Sequence, residues 1–207
     1  MSMNLSNKGA FDGPVAWDGP GTASALSRWA AGQLARFLGW VALWWGAVFV
    51  TVGLLPVGAV APMTLVLAVL MYNAVVSLIK LCRWGRMRRI LTVYPWRQQP
   101  GGVRYDARGR KASFVLPDPD RPEKTVSPKI SGFFFRPWDR VARKGFDGEL
   151  WYAGDPRFAC VIAKPGLKML TYAVQPTAFN RRTSPRRKGL SPEARRRARA
   201  IGARVAD

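Results

Sequence analysis

The fold of this chain is decided by residues 37–80, FLGWVALWWGAVFVTVGLLPVGAVAPMTLVLAVLMYNAVVSLIK, which contain no charged side chain before the final lysine. A helix needs about 20 apolar residues to cross the roughly 30 Å of hydrocarbon in a bilayer, so this stretch is too long for one crossing and suits two. Pro56 and Pro62 interrupt it near the middle and predict a turn. We therefore predict a transmembrane hairpin with spans at 37–55 and 62–80.

A soluble core or a cleaved signal peptide could also produce apolar runs. A core element alternates with polar surface positions, and neither the helical nor the strand period appears in this stretch. The sequence AVA at 59–61 has the small residues of a cleavage site, but Pro62 follows it directly and the preceding apolar segment is too long. The hairpin is the interpretation that fits both halves of the stretch.

The basic residues that flank the hairpin predict its orientation. Two precede the first span, a cluster follows the second, and the connecting turn has none. Because loops rich in Lys and Arg stay in the cytoplasm, we predict a multi-pass protein of the cell (inner or plasma) membrane with both termini cytoplasmic. The topology and interface residues are Lys80, Arg83, Arg86, Arg88 and Arg89, with Arg28 and Arg36 before the first span.

Small and polar residues within the spans predict helix packing. Gly39, Gly46 and Gly53 recur at intervals of seven on one face of the first span, where another helix can approach closely. On the second span Asn73 and Ser77 share a face, and we expect each to find an interhelical partner. Packing within the hairpin and self-association both fit this pattern. The spans contain no ionisable Asp, Glu, Lys, Arg or His, which argues against a proton relay or an ion pathway.

The fold class we predict is α+β: a two-helix transmembrane hairpin, then a small cytoplasmic β-barrel or β-roll domain, then a basic helical tail. Before the hairpin we expect a flexible arm at 1–23 and an interfacial helix at 24–36. After it, the β domain occupies 91–176 and the basic, partly helical tail 177–207. Within the β domain, ELWYAG and FACVIAKPG read as strands, whereas GLKMLTYAVQP fits either a last strand or a closing helix.

Catalysis gains no support from the sequence. The chain has no histidine, which excludes His-based acid–base chemistry and most zinc sites. Cys82 and Cys160 cannot form a structural zinc site between them. Asp118, Asp120 and Asp155 lie beside prolines in turns, where aspartate commonly caps the backbone. We therefore predict no enzyme activity, no catalytic residue, no cofactor and no metal.

The end of the chain is strongly basic, within a protein whose net charge is +21. Ser191, Pro192 and Glu193 form an N-cap signal for a helix, and small or apolar residues follow on one narrow stripe. Attraction to anionic lipid is worth about 1 kcal/mol per basic residue near a bilayer, and phosphates of nucleic acid attract the same charges. The predicted contact residues are Arg181, Arg182, Arg186, Arg187, Lys188, Arg195, Arg196, Arg197, Arg199 and Arg204.

Two functions follow from these features. The first is a membrane-anchored, non-enzymatic adaptor or interaction protein, whose β domain binds a protein partner or a second copy and whose tail contacts anionic phospholipid. The alternative is a membrane-tethered protein that binds nucleic acid without sequence preference. The tail charges suit both, but no nucleic-acid recognition motif is visible.

Two short motifs accompany the hairpin, TVYPW at 92–96 and WYAGDPRF at 151–158. With these motifs the chain resembles two-helix integral membrane proteins of actinobacteria, a group with no assigned activity. The resemblance implies an arrangement of elements and a membrane location, and it carries no residue roles.

Overall fold

The computed structural model describes residues 14–54, 56, 60–105, 112–130, 146, 148–175, 177–181 and 189–206. The chain divides into two compact units. One is Leu26–Gly85, and the other consists of the residues on both sides of that segment. The second unit therefore combines a short N-terminal segment with the region that follows the two long helices.

Helix α1 (Thr22–Gly53) and helix α2 (Val60–Cys82) are long and apolar enough to cross a membrane. Helix α1 continues without a break through the predicted boundary at 36–37, and the division into an interfacial helix at 24–36 and a span beginning at 37 stays a prediction. No proline lies near that boundary, and a single glycine such as Gly39 does not break a helix whose neighbours are good helix formers.

The apolar side chains of both helices are largely uncovered by the described protein. Only 6% and 11% of the most apolar windows of the two candidate spans are buried. Phe49 on α1 and Leu65 on α2 are each 72% exposed. A core helix of a soluble domain buries its apolar face, so these two helices lack that feature.

Polar side chains on the two helices bond to their own helix. The Asn73 side-chain amide donates to the carbonyl of Val69 at 2.8 Å, and the Ser77 hydroxyl donates to the carbonyl of Asn73 at 2.9 Å. Both bonds run one turn back along α2, and the interhelical partners expected for Asn73 and Ser77 stay a prediction. A Cβ on Gly39, Gly46 or Gly53 would meet no described atom within 4 Å, so the described chain brings no helix close to these glycines.

A third helix, α3 (Trp84–Leu91), begins two residues after α2 ends. In the part of the chain that the structure describes, nine strands follow, and helix α4 covers Pro192–Ala200. The strands are β1 (Trp96–Pro100), β2 (Val103–Tyr105), β3 (Ala112–Phe114), β4 (Leu116–Pro117), β5 (Thr125–Val126), β6 (Lys129–Ile130), β7 (Glu149–Asp155), β8 (Ala159–Lys164) and β9 (Lys168–Val174).

The main sheet is open, with strand order β1-β7-β8-β9-β6 and antiparallel neighbours throughout. Two short ladders, β2-β3 and β4-β5, accompany it. The predicted barrel is therefore wrong for the described residues: the sheet has edges at β1 and at the two-residue β6, and they do not pair with each other. The strands expected at ELWYAG and FACVIAKPG are confirmed as β7 and β8. The segment GLKMLTYAVQP, left open between strand and helix, forms β9.

The core of this region follows the two-residue period of the strands. Leu150 and Tyr152 on β7 pack with Cys160 and Ile162 on β8, in a cluster completed by Phe114, Leu116, Phe146 and Ala173. The intervening residues of β8 are buried as well, so both faces of this central strand are covered. Cys160 is a buried small residue, as the sequence indicated.

Gly154 makes the close approach between β7 and β8 possible. Its φ is +122°, and a Cβ there would meet the carbonyl oxygen of Ala159 and the backbone of Cys160. Only glycine adopts such a backbone without strain. The buried turn that follows, from Asp155 to Phe158, therefore depends on this residue.

Residues 14–23, predicted as part of a flexible arm, pack against the sheet region. The Ala16 amide donates to the carbonyl of Tyr94 at 2.9 Å, and the Trp96 indole donates to the Thr22 hydroxyl at 3.1 Å. Ala16 and Thr22 are almost fully buried. The remainder of the predicted arm, residues 1–13, lies outside the described residues.

Candidate functional site

Helix α3 presents a row of exposed arginines next to the second candidate span. Met87, Ile90 and Leu91 are buried, while Arg86 and Arg89 are exposed on the other side of the helix. This separation arises because apolar and basic residues alternate at helical spacing in WGRMRRIL. The juxtamembrane cluster predicted from the sequence is therefore a folded, amphipathic element.

Two arginines of α3 stack on aromatic rings from other parts of the same unit. The Arg86 guanidinium carbon lies 5.0 Å from the centre of the Phe179 ring, and that of Arg88 lies 5.3 Å from the Trp17 ring. Stacking uses the flat face of the guanidinium and leaves the N–H groups, which lie in its plane, oriented outward around the edge. Both side chains are thereby held in place without losing their charge.

Helix α4 begins as the sequence predicted. Ser191 is the N-cap, and its hydroxyl accepts a hydrogen bond from the Ala194 amide at 3.2 Å, with Pro192 in the first turn. Glu193 pairs with Arg196 and Arg197 on the same helix. The helical part of the predicted basic tail thus exists, although it does not form a separate domain.

The apolar stripe of α4 is buried within its own unit. Ala194 and Ala198 have no exposed surface, and Ile201 is 3% exposed. The stripe is therefore not available for contact with lipid, and the contact predicted through the basic residues of 177–207 stays a prediction. Small side chains let the helix pack closely against its surroundings, which is why so narrow a stripe suffices for its burial.

The C-terminal segment returns to α3 after α4 ends. The Arg204 amide donates to the carbonyl of Ala178 at 3.3 Å, and its Nη1 donates to the carbonyl of Asn180 at 3.4 Å. A Cβ on Gly202 would lie 3.9 Å from Nη1 of Arg89. Since Arg86 stacks on Phe179, arginines from two distant parts of the sequence meet at the 177–181 turn.

The predicted contact residues fall into three groups. The exposed ones are Arg181, Arg196, Arg199 and Arg204, and the partly exposed ones are Arg195 and Arg197. Arg182, Arg186, Arg187 and Lys188 lie outside the described residues. Of the predicted topology residues, Lys80 lies in the last turn of α2, Arg83 follows α2 in a turn, and Arg86, Arg88 and Arg89 belong to α3.

A buried charge cluster centred on Arg157 is the feature that the sequence did not reveal. The Arg157 side chain is 1% exposed, and its Nη1 lies 3.0 Å from Asp118 and 2.7 Å from Asp120. Its Nε and Nη2 form a bidentate pair with Asp155, with Nη2 at 2.7 Å. The sequence offered one signal for this cluster: an arginine shortly after a strand, in GDPRF, together with the aspartates of DPDRPE.

The cluster also holds the start of α4. Asp120 Oδ2, besides its pair with Arg157, accepts a hydrogen bond from the Ser191 amide at 3.0 Å. The capping role predicted for the aspartates is confirmed at two sites: Asp118 accepts from the Asp120 amide and Asp155 from the Arg157 amide. The guanidinium of Arg157 thus joins two turns that are distant in sequence, and Asp120 links them to the start of α4.

The electrostatics of the cluster follow from burial and pairing. Burial raises the pKa of Asp120, but hydrogen bonds from Ser191 and Arg157 outweigh it and hold that pKa below its ordinary value of 3.8. Burial lowers the pKa of Arg157, and its bonds to Asp155 and Asp120 reverse the effect and raise it. Arg157 therefore stays charged, and the cluster is an ion-pair network.

The described residues include no group of three or more His, Cys, Asp or Glu that could hold a metal ion. The three aspartates that come closest to such a group converge on Arg157 instead. Cys160 is fully buried, which raises the pKa of its thiol and keeps it protonated. Cys82, at the end of α2, is exposed.

Comparison of the chain with protein-family models, with curated proteins and with solved structures gives no match. The resemblance to actinobacterial two-helix membrane proteins therefore stays a prediction.

Proposed function

We propose that this protein is a membrane-anchored, non-enzymatic interaction protein whose arginine-rich surface contacts anionic phospholipid. The observation that carries the proposal is that arginines of α3, which follows the second candidate span almost immediately, share one compact unit with arginines of the C-terminal segment. Basic residues held near a bilayer are attracted by about 1 kcal/mol each to an anionic leaflet.

The chain segments that make up that unit support a hairpin. Residues 14–25 comprise the segment before α1 and its first turn, residues from 86 onward follow α2, and the two segments pack together. If both helices cross the bilayer, their outer ends are then on one side of it. The distribution of Lys and Arg makes that side the cytoplasm, with both termini inside.

The lipid contact is tested on the full chain in neutral-detergent micelles, titrated with phosphatidylglycerol or with phosphatidylcholine and followed by calorimetry. We expect binding of the anionic lipid that weakens as salt rises. Replacing Arg186, Arg187 and Lys188 by Gln should weaken it. The charge-matched control replaces Arg104, Lys124 and Lys129, which are exposed in the sheet region, and should have a smaller effect.

Equal affinity for the two lipids would contradict the lipid role. Tight, salt-sensitive binding of a DNA oligonucleotide without a preference for anionic lipid would favour the nucleic-acid alternative. A protein partner or a second copy, the remaining part of the adaptor hypothesis, would be identified by crosslinking in the native membrane before extraction.

A further inference from the structure

Three arginines form a compact cationic cluster at the 177–181 turn, which we call the turn cluster: Arg86, Arg89 and Arg204. All three are exposed, although they come from segments more than a hundred positions apart in the sequence. Arg86 stacks on Phe179 and Arg204 bonds the residues on either side of Phe179. Arg89 lies beside Gly202, two residues before Arg204.

Two guanidiniums of the cluster are restrained by contacts within the protein: Arg86 stacks on Phe179, and Nη1 of Arg204 donates to the carbonyl of Asn180 at 3.4 Å. Arg86 and Arg89 are three positions apart, so they lie on the same side of α3. Arginines that are already ordered lose less conformational freedom when they bind a ligand than arginines on a flexible tail.

We propose that the turn cluster is a binding site for a phosphomonoester, a compact group with about two negative charges and three terminal oxygens. This inference rests on the proposed function and names the headgroup that the surface prefers. A phosphodiester carries a single charge, so three guanidiniums around one turn match a monoester better than a diester. The source of the monoester is either a lipid headgroup such as phosphatidic acid or a free phosphate.

The Arg157 network positions one side of this site. Asp120 holds the Ser191 amide at the start of α4, and the buried face of α4 fixes the path of the chain to Gly202 and Arg204. Asp120 is thus a positioning residue for the site, which it does not touch. Replacing Asp120 by Asn removes one negative charge. This change in net charge alone would strengthen anion binding.

The test uses the full chain in neutral-detergent micelles, titrated calorimetrically with phosphatidic acid, with phosphatidylglycerol at equal total charge, and with inorganic phosphate. We expect phosphatidic acid to bind more tightly than phosphatidylglycerol. The double variant Arg89→Gln with Arg204→Gln should bind phosphatidic acid about tenfold more weakly. The charge-matched control Arg195→Gln with Arg196→Gln should keep the preference, because these residues lie on α4 outside the cluster.

Asp120→Asn supplies an independent readout, since the site model predicts weaker phosphatidic acid binding despite the added positive charge. Unchanged or tighter binding would overturn the positioning role. Equal binding of the two lipids, with equal losses in the cluster and control variants, would overturn the site and leave the proposed function standing. If neither lipid binds, both the phosphomonoester site and the proposed lipid-contact function would be contradicted. If inorganic phosphate binds as tightly as phosphatidic acid, the result would support the site and identify its ligand as free phosphate.

Discussion

Water cannot replace the partners of Arg157, because its side chain is almost fully buried. Its side chain is buried, and it neutralises carboxylates from two different turns. Removing one member of a buried ion pair costs more than the pair itself contributes, because the remaining charges stay buried without a partner. The stability of the sheet region therefore depends strongly on this residue.

We predict that Arg157→Met destabilises the protein by about 3–5 kcal/mol. Methionine fills similar space but leaves Asp155 buried without its bidentate partner. Denaturant unfolding of the full chain in detergent, followed by near-UV circular dichroism, measures the change. Arg196→Met removes an arginine with a side chain that is 78% exposed, and it should shift stability by no more than about 0.5 kcal/mol. Similar shifts in the two variants would contradict the account of the network.

The pH dependence of Asp120 has a definite sign. Its pKa is below 3.8 in the folded protein, so its ionised form contributes stability above about pH 3.8, and that contribution is lost as pH falls through the folded pKa. We expect Asp120→Asn to be less stable than the wild type at neutral pH. The difference should narrow between about pH 5 and about pH 2, and urea unfolding at each pH would show it. A constant difference across this range would indicate that Asp120 acts through packing alone.

Gly154 is the residue at which a single added methyl group should matter most. We predict that Gly154→Ala destabilises the protein by about 2 kcal/mol or more, through positive φ and overlap with the Ala159 carbonyl. At Gly148 a Cβ would meet nothing within 4 Å, so Gly148→Ala is the matched control and should be nearly neutral. Thermal unfolding of both variants in the same detergent tests the prediction. Equal melting temperatures of the two variants would contradict it.

At the scale of elements, the polar residues of α2 are internally satisfied. Since Asn73 and Ser77 donate to carbonyls of their own helix, Asn73→Leu and Ser77→Ala should each change stability by less than about 1 kcal/mol. The measurement is unfolding in detergent micelles, with Ala74→Leu as the contrast, because Ala74 is 3% exposed and a larger side chain would overpack it. A large loss in the Asn73 variant would point to a partner on another helix or in another copy.

The sequence predicts those elements whose signal is local. The absence of charge at 37–79 is enough to predict two long apolar helices, and Ser191 with Pro192 is enough to place the start of α4. The identity of β9 stayed open because its apolar residues fit both periods, and pairing with β8 and β6 decided in favour of a strand. The docking of α4 was missed because two alanines are a weak signal until the surface that receives them is known.

The Arg157 network was missed for a related reason. Its members come from two turns, and nothing in DPDRPE or GDPRF alone distinguishes an aspartate that only caps a turn from one that also meets a buried arginine. Long-range pairing of this kind depends on the sheet order, which brings β7 and the β4-β5 region together only in the folded domain. The turn cluster was missed for the same reason, because its arginines come from distant parts of the sequence.

At the scale of the whole molecule, the packing of residues 14–25 on the sheet region links the two ends of the candidate hairpin. We predict that Asp18→Cys and Arg196→Cys, in a background with Cys82→Ser and Cys160→Ala, react only with reagents that reach the cytoplasm. Gly58→Cys should react with a membrane-impermeant maleimide added outside intact cells. Labelling of positions 18 and 196 from opposite sides would contradict both the hairpin and the observed packing.

The same packing sets an order of events during biosynthesis. The segment from Ala16 to Thr22 is made before almost all of both long helices, but Tyr94 and Trp96, which it contacts, are made only after both. If the two helices span a bilayer, a chain that inserted only one of them would leave these residues on opposite sides, and the sheet region would present the uncovered surface of a folding intermediate to chaperones and proteases. Under the proposed hairpin, completion of the domain then requires that both helices have inserted, and its folding acts as a check on membrane topology.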